Sequence, residues 1–80
     1  MVDRNALDKI RNYSEGFTFT VNFNSIPDRI RPHMYDTLRE AEKQGLIESV
    51  EIGLGWFDNG DFGNTDTKYI RKENKHEKEN

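Results

Sequence analysis

The sequence predicts a small α+β domain built in the order helix, strand, helix, helix, strand, strand. Three observations carry this. Phe17, Phe19, Val21 and Phe23 alternate strictly with Thr18, Thr20 and Asn22, the pattern of a half-buried strand. Apolar residues recur at helical spacing on both sides of that strand. Near the end, two β-like segments flank Asn59-Gly60, a strong turn dipeptide. Eighty residues make one domain at most, with a small and simple core.

The first helix is expected over 3–15, where Asp3 can accept backbone N–H groups as the cap. Val2 and Leu7 stand at staple spacing, and Ala6, Leu7, Ile10 and Tyr13 form the inner stripe. Gly16 supplies a left-handed stop. The strand follows over 17–23. A short second helix is expected from Ser25, with Asp28 completing a capping box and Pro27 in the first turn. Pro32 disfavours the α conformation at Arg31 and should end it there. The third helix is expected from about His33 to Gln44, with Met34, Leu38 and Ala41 inward and Gly45 as its stop. Asp36 in its first turn and Lys43 in its last match the helix dipole. Strands are expected over 46–54, with Val50, Ile52 and Leu54 facing one way, and over 65–71, anchored by Tyr69 and Ile70. Gly63-Asn64 reads as a second turn. The domain thus spans 1–71. Residues 72–80 are wholly polar and are expected to be a disordered tail.

The net charge of −3 is unevenly placed. Residues 1–43 hold seven acids and seven bases, whereas residues 44–67 hold Glu48, Glu51, Asp58, Asp61 and Asp66 with no base. The absence of cysteine excludes disulfides, thiolate metal sites and cysteine nucleophiles. No apolar run reaches the length of a membrane span, and the charged start lacks a signal-peptide core, so a cytoplasmic location is the expectation. His33 and His76 have no partner at ligand spacing, so no metal is expected. "DNGDFGNTD" departs from a calcium loop, which needs oxygen ligands at alternate positions and Glu at the twelfth, because residues 58, 60 and 62 are Asp, Gly and Phe. No nucleophile elbow or phosphate loop is visible, so neither an enzyme nor a cofactor is expected.

Leu38 to Ile52 reads "LREAEKQGLIESVEI": a core leucine, a charged helix end, then Gly45-Leu46-Ile47 opening a strand. With the element order, this segment resembles the winged helix-turn-helix family. The resemblance implies a third helix that enters the DNA major groove and a hairpin wing that touches the backbone or minor groove. Two features depart from the family pattern: the second helix is short, and the wing is acidic where phosphate contact calls for Lys or Arg.

If the third helix reads duplex DNA, His33, Tyr35, Asp36 and Arg39 stand at its outward reading positions, with Arg39 suited to a guanine edge. Arg29, Arg31 and Lys43 would then hold phosphates. The plainer reading is a solvated face laced with ion pairs: Asp36 with Arg39, Arg39 with Glu42, Glu40 with Lys43. In the hairpin, Trp56, Phe57 and Phe62 among Asp58 and Asp61 suit contact with a protein, including a second copy. The plainer alternative folds these rings over the sheet. The function expected is a small, dimeric DNA-binding regulator with its wing in a protein-contact role. The alternative is a protein-binding inhibitor or adaptor of the kind carried by phages and mobile elements, with no DNA binding.

Overall fold

The computed structural model describes residues 1–72. Its elements are α1 (Arg4–Arg11), β1 (Thr18–Asn22), a 3-10 turn (Phe23–Ser25), α2 (Arg31–Lys43), β2 (Ile47–Trp56) and β3 (Phe62–Arg71). The strands form one antiparallel sheet in the order β1-β3-β2, so β3 is central and β2 lies at an edge. The result is a small α+β fold with two α-helices and a three-stranded sheet.

Local signals explain most boundaries. Asp3 caps α1, its Oδ1 accepting from the backbone N–H of Asn5 (3.0 Å) and Ala6 (3.3 Å). The helix stops at Arg11, short of the expected 15, because Tyr13 turns its ring onto Phe17 (4.8 Å) and Phe19 (5.2 Å). Gly16, at φ +82°, is therefore a turn residue leading into β1 rather than a helix stop. At the end of α2, Gly45 (φ +77°) gives its N–H to Glu42 O and Leu46 gives its own to Ala41 O, the paired bonds of a Schellman stop.

The expected short helix before Pro32 does not form. Ile26, ahead of Pro27, is extended (φ −95°, ψ 128°), and the chain passes through turns to Ile30. Asn22, not Ser25, provides the local cap, accepting from Asn24 N–H at 3.1 Å. Pro32 sits in the first turn of α2, where its missing N–H costs nothing, so one helix begins at Arg31 instead of a second starting at His33.

The hairpin is longer than expected. β2 continues to Trp56 and β3 begins at Phe62, and the register pairs Trp56 with Phe62 and Gly55 with Gly63. Gly63-Asn64 is thus strand, not turn. The reversal uses Asn59-Gly60: Gly60 (φ +93°) donates to Phe57 O, Phe57 donates to Asp61 O, and the Asn59 side chain accepts from Asp61 N–H. Two register shifts leave Val50 and Thr65 as extra residues, which locally twist the ribbon.

The core joins Leu7 and Ile10 of α1, Leu38 and Ala41 of α2, Phe23, and Ile47, Phe57 and Tyr69 from the sheet and turn. Arg71 is buried beneath it. Its guanidinium donates to Leu46 O (3.1 Å), Lys72 O (2.9 Å) and Arg11 O (3.1 Å), so a cation meets the last carbonyl of α1 and ties it to the segment that follows α2. The expected tail falls outside the described residues apart from Lys72, whose N–H donates to Leu46 O.

Burial pushes the Tyr69 phenol up to about 12, with the nearby Glu42 carboxylate adding to the effect. The folded state therefore favours neutral Tyr69, a stabilisation complete below the ordinary value of 10.0 and lost as pH rises towards about 12. The melting temperature should hold up to about pH 10 and then fall. Tyr69→Phe should fall less steeply over that window, and thermal melts at stepped pH check this.

Candidate binding surfaces on the hairpin and the second helix

In the sequence Ile52-Gly53-Leu54-Gly55-Trp56, large apolar residues alternate with glycine. In a strand this puts every large side chain on one face and leaves the other bare. A Cβ on Gly53 would run into the Asp66 carboxylate, and one on Gly55 would press on the Thr65 side chain (3.3 Å). The glycine face is thus occupied by β3 side chains lying across it. The opposite face carries Ile52 (56% exposed), Leu54 (66%) and Trp56 (70%), and Phe62 (57%) stands directly across from Trp56. The two rings meet edge to face at 4.9 Å. Val50, in the bulge, is exposed as well. These residues are large enough that full burial of each is worth about 1.5–3 kcal/mol, yet the fold leaves them in water.

The hairpin residues singled out from sequence separate into two groups. Trp56, Phe62, Asp58 and Asp61 are exposed. Phe57 is not, and its assignment as a contact residue is corrected: the ring is 8% exposed and lies under the Arg31 guanidinium, 4.3 Å from its centre. The turn that brings Phe57 N–H to Asp61 O rolls this one ring inward. Ile52 and Leu54 belong to the exposed face and were missed as contacts. Their signal was the alternation with glycine.

The six cationic and polar candidates of the helix face also divide. Arg31 is a strut, and its role as a phosphate ligand is corrected. Its Nε donates to Phe23 O (3.0 Å), its Nη2 to Ile26 O (3.0 Å), and its Nη1 pairs with Asp28 (2.7 Å). Tyr35 packs on Phe23 (4.5 Å between ring centres), and its hydroxyl donates to Asn64 O (2.9 Å). It ties α2 to the hairpin rather than reaching outward. Burial raises its pKa, with the Arg31 charge opposing. Arg29, His33, Arg39 and Lys43 are exposed, and the His33 ring Nδ1 lies 3.2 Å from Met1 O.

Among the described residues, none of the three ion pairs expected along α2 closes. Asp36 instead meets the Met1 ammonium (2.6 Å), which holds its carboxyl below the usual range, and Glu40 accepts from Gln44 Nε2 (2.9 Å). Between α2 and the hairpin lies an open groove of about 710 Å³, lined by Arg39, Tyr35, Asn59, Asp61 and Phe62 among others. Its charges are mixed: Asp28 and Asp61 line it together with Arg31 and Arg39. Among the described residues no group of three or more His, Asp or Glu is placed to hold a metal ion. No helix among them is long and apolar enough to cross a membrane. No protein-family model, curated protein or solved structure matches the chain.

Proposed function

We propose that this chain is a protein-binding module on a winged-helix scaffold, docking through the face formed by Ile52, Leu54, Trp56 and Phe62. It would act as an inhibitor or adaptor and use no catalysis of its own. The winged-helix reading is supported by topology: β1, between the two helices, pairs with β3, and the β2–β3 hairpin extends as a wing. The observation that carries the docking role is the one-sided ribbon, with four large apolar side chains each more than half exposed. Continuous apolar surface of this kind on a soluble domain marks a place where another molecule sits. Affinity capture from native cells and sedimentation over a range of concentrations test it. The wild-type chain should take up a partner or a second copy, and the Trp56→Ala chain should not.

A second reading, duplex DNA bound through the outer face of α2, keeps one observation in its favour: Arg29, Arg39 and Lys43 project with no ion-pair partner among the described residues. With Arg31 engaged internally, at most these three cations remain in this array for phosphate contact. The logarithm of affinity for random duplex should then fall against the logarithm of salt concentration with a slope no steeper than about −3. Arg39→Ala should weaken that binding and relax any base preference by about 1–3 kcal/mol. A slope near that of a six-contact protein would reinstate DNA binding as the main activity.

A further inference from the structure

The docking face lies on a strand whose outer edge is open. In the order β1-β3-β2, no strand among the described residues pairs with the outer side of β2. Protected edges usually carry Lys, Pro or an inward charge, or are kept very short. β2 runs for ten residues and contains no Pro, Lys or Arg. The Val50 bulge distorts its first half; Glu51–Trp56 continue beyond it, and the second irregularity places its extra residue, Thr65, on β3 and not on the β2 edge. Free backbone N–H and C=O groups therefore lie beside the Ile52, Leu54 and Trp56 side chains, which is the arrangement that accepts an added strand.

The charge around this edge selects the occupant. Glu48, Glu51, Asp58, Asp61 and Asp66 lie on or beside the hairpin, and no base occurs between residues 44 and 67. Lys68 stands opposite Glu51 across the ribbon, and the Lys72 ammonium lies 3.9 Å from Glu48. The acids of the tip, Asp58 and Asp61, have no cation within salt-bridge distance among the described residues, whereas Asp66 lies across the glycine face, away from this edge. Two copies meeting edge to edge would bring two such acidic rims together, which opposes self-pairing. Residues 73–80 offer no apolar side chain, and their two lysines are outnumbered by three glutamates, so they do not match this edge either.

We infer that the partner presents a basic, extended segment with apolar residues at alternate positions, and that this segment adds to β2 as a fourth strand. Its backbone bonds to the free edge, its apolar side chains lie against Ile52, Leu54 and Trp56, and its Lys or Arg residues meet the acidic rim. The inference rests on the docking role proposed above and specifies the partner's chemistry.

Three synthetic ten-residue peptides test it against the whole chain: alternating Lys and Val, alternating Glu and Val, and the Lys-Val peptide N-methylated at every amide, so that neither of its edges can donate. Trp56 is the only tryptophan, so its emission reports occupancy of the face directly. The Lys-Val peptide should bind at least ten-fold tighter than the Glu-Val peptide at low salt. The gap should shrink as salt rises. N-methylation should remove binding, because it blocks the backbone bonds while keeping charge and side chains. Equal binding of both charges, or undiminished binding of the methylated peptide, overturns the inference. If no peptide binds but the chain self-associates through Trp56, the occupant is a second copy; the inference falls and the docking role stands. If no peptide binds and Trp56→Ala alters neither capture nor association state, both fall.

Discussion

Replacing Phe23 by Ala should cost about 3–5 kcal/mol and leave much of the chain unfolded at room temperature. Phe23 is fully buried, packs at a tilt against the Tyr35 ring, and offers its carbonyl to Arg31. A chain of eighty residues has on the order of 4–12 kcal/mol in total, so one such loss consumes a large share of it. Urea titration followed by circular dichroism gives the number. Phe23→Leu, which keeps most of the volume, should lose considerably less. A loss below about 1 kcal/mol for Phe23→Ala would remove Phe23 from the centre of the core.

Trp56→Ala should do the reverse. Its ring is 70% exposed and touches the Phe62 ring, so little packing depends on it and the melting temperature should barely move. Binding through the hairpin face should weaken by about 30-fold or more, since an aromatic anchor at the centre of an interface is commonly worth 2 kcal/mol or above. Phe62→Ala should follow it in direction. Phe57→Ala should behave like a core truncation, because that ring lies under Arg31. Neighbours in sequence, Trp56 and Phe57 are thus expected to give opposite phenotypes. The idea of a free docking face is lost if Trp56→Ala and Phe62→Ala unfold the domain.

Features written in adjacent residues were readable without coordinates. The Asp3 cap, the Gly45 stop and the Asn59-Gly60 reversal each depend on a few neighbours, and each stands where expected. The β1 alternation holds over Thr18–Asn22 but not over the expected 17–23, since Phe17 precedes the strand and is exposed and Phe23 opens the 3-10 turn. Pro32 was ambiguous because the same residue can end one helix or open the next. The extended Ile26 and the turn to Ile30 decide for the second. Arg31 showed its charge but not its placement, which depends on Phe23, Ile26, Asp28 and Phe57 converging on it. The glycine alternation in β2 was visible throughout. Its meaning required knowing that Asp66 and Thr65 lie across the ribbon opposite Gly53 and Gly55. Residues 46–54 had the look of a half-buried strand, but of the apolar side chains in β2 only Ile47 enters the core, because the hairpin runs on past the helices.

Site-specific photo-crosslinking in native cells separates the two surfaces most directly. A photoreactive amino acid would replace Leu54 on the hairpin face in one version of the chain and the exposed Lys43 at the end of α2, outside the groove that Arg39 shares with Phe62, in another. The protein-docking reading predicts a discrete protein adduct from position 54, abolished by Trp56→Ala, and none from position 43. Adducts to DNA from position 43, with position 54 silent, would contradict it.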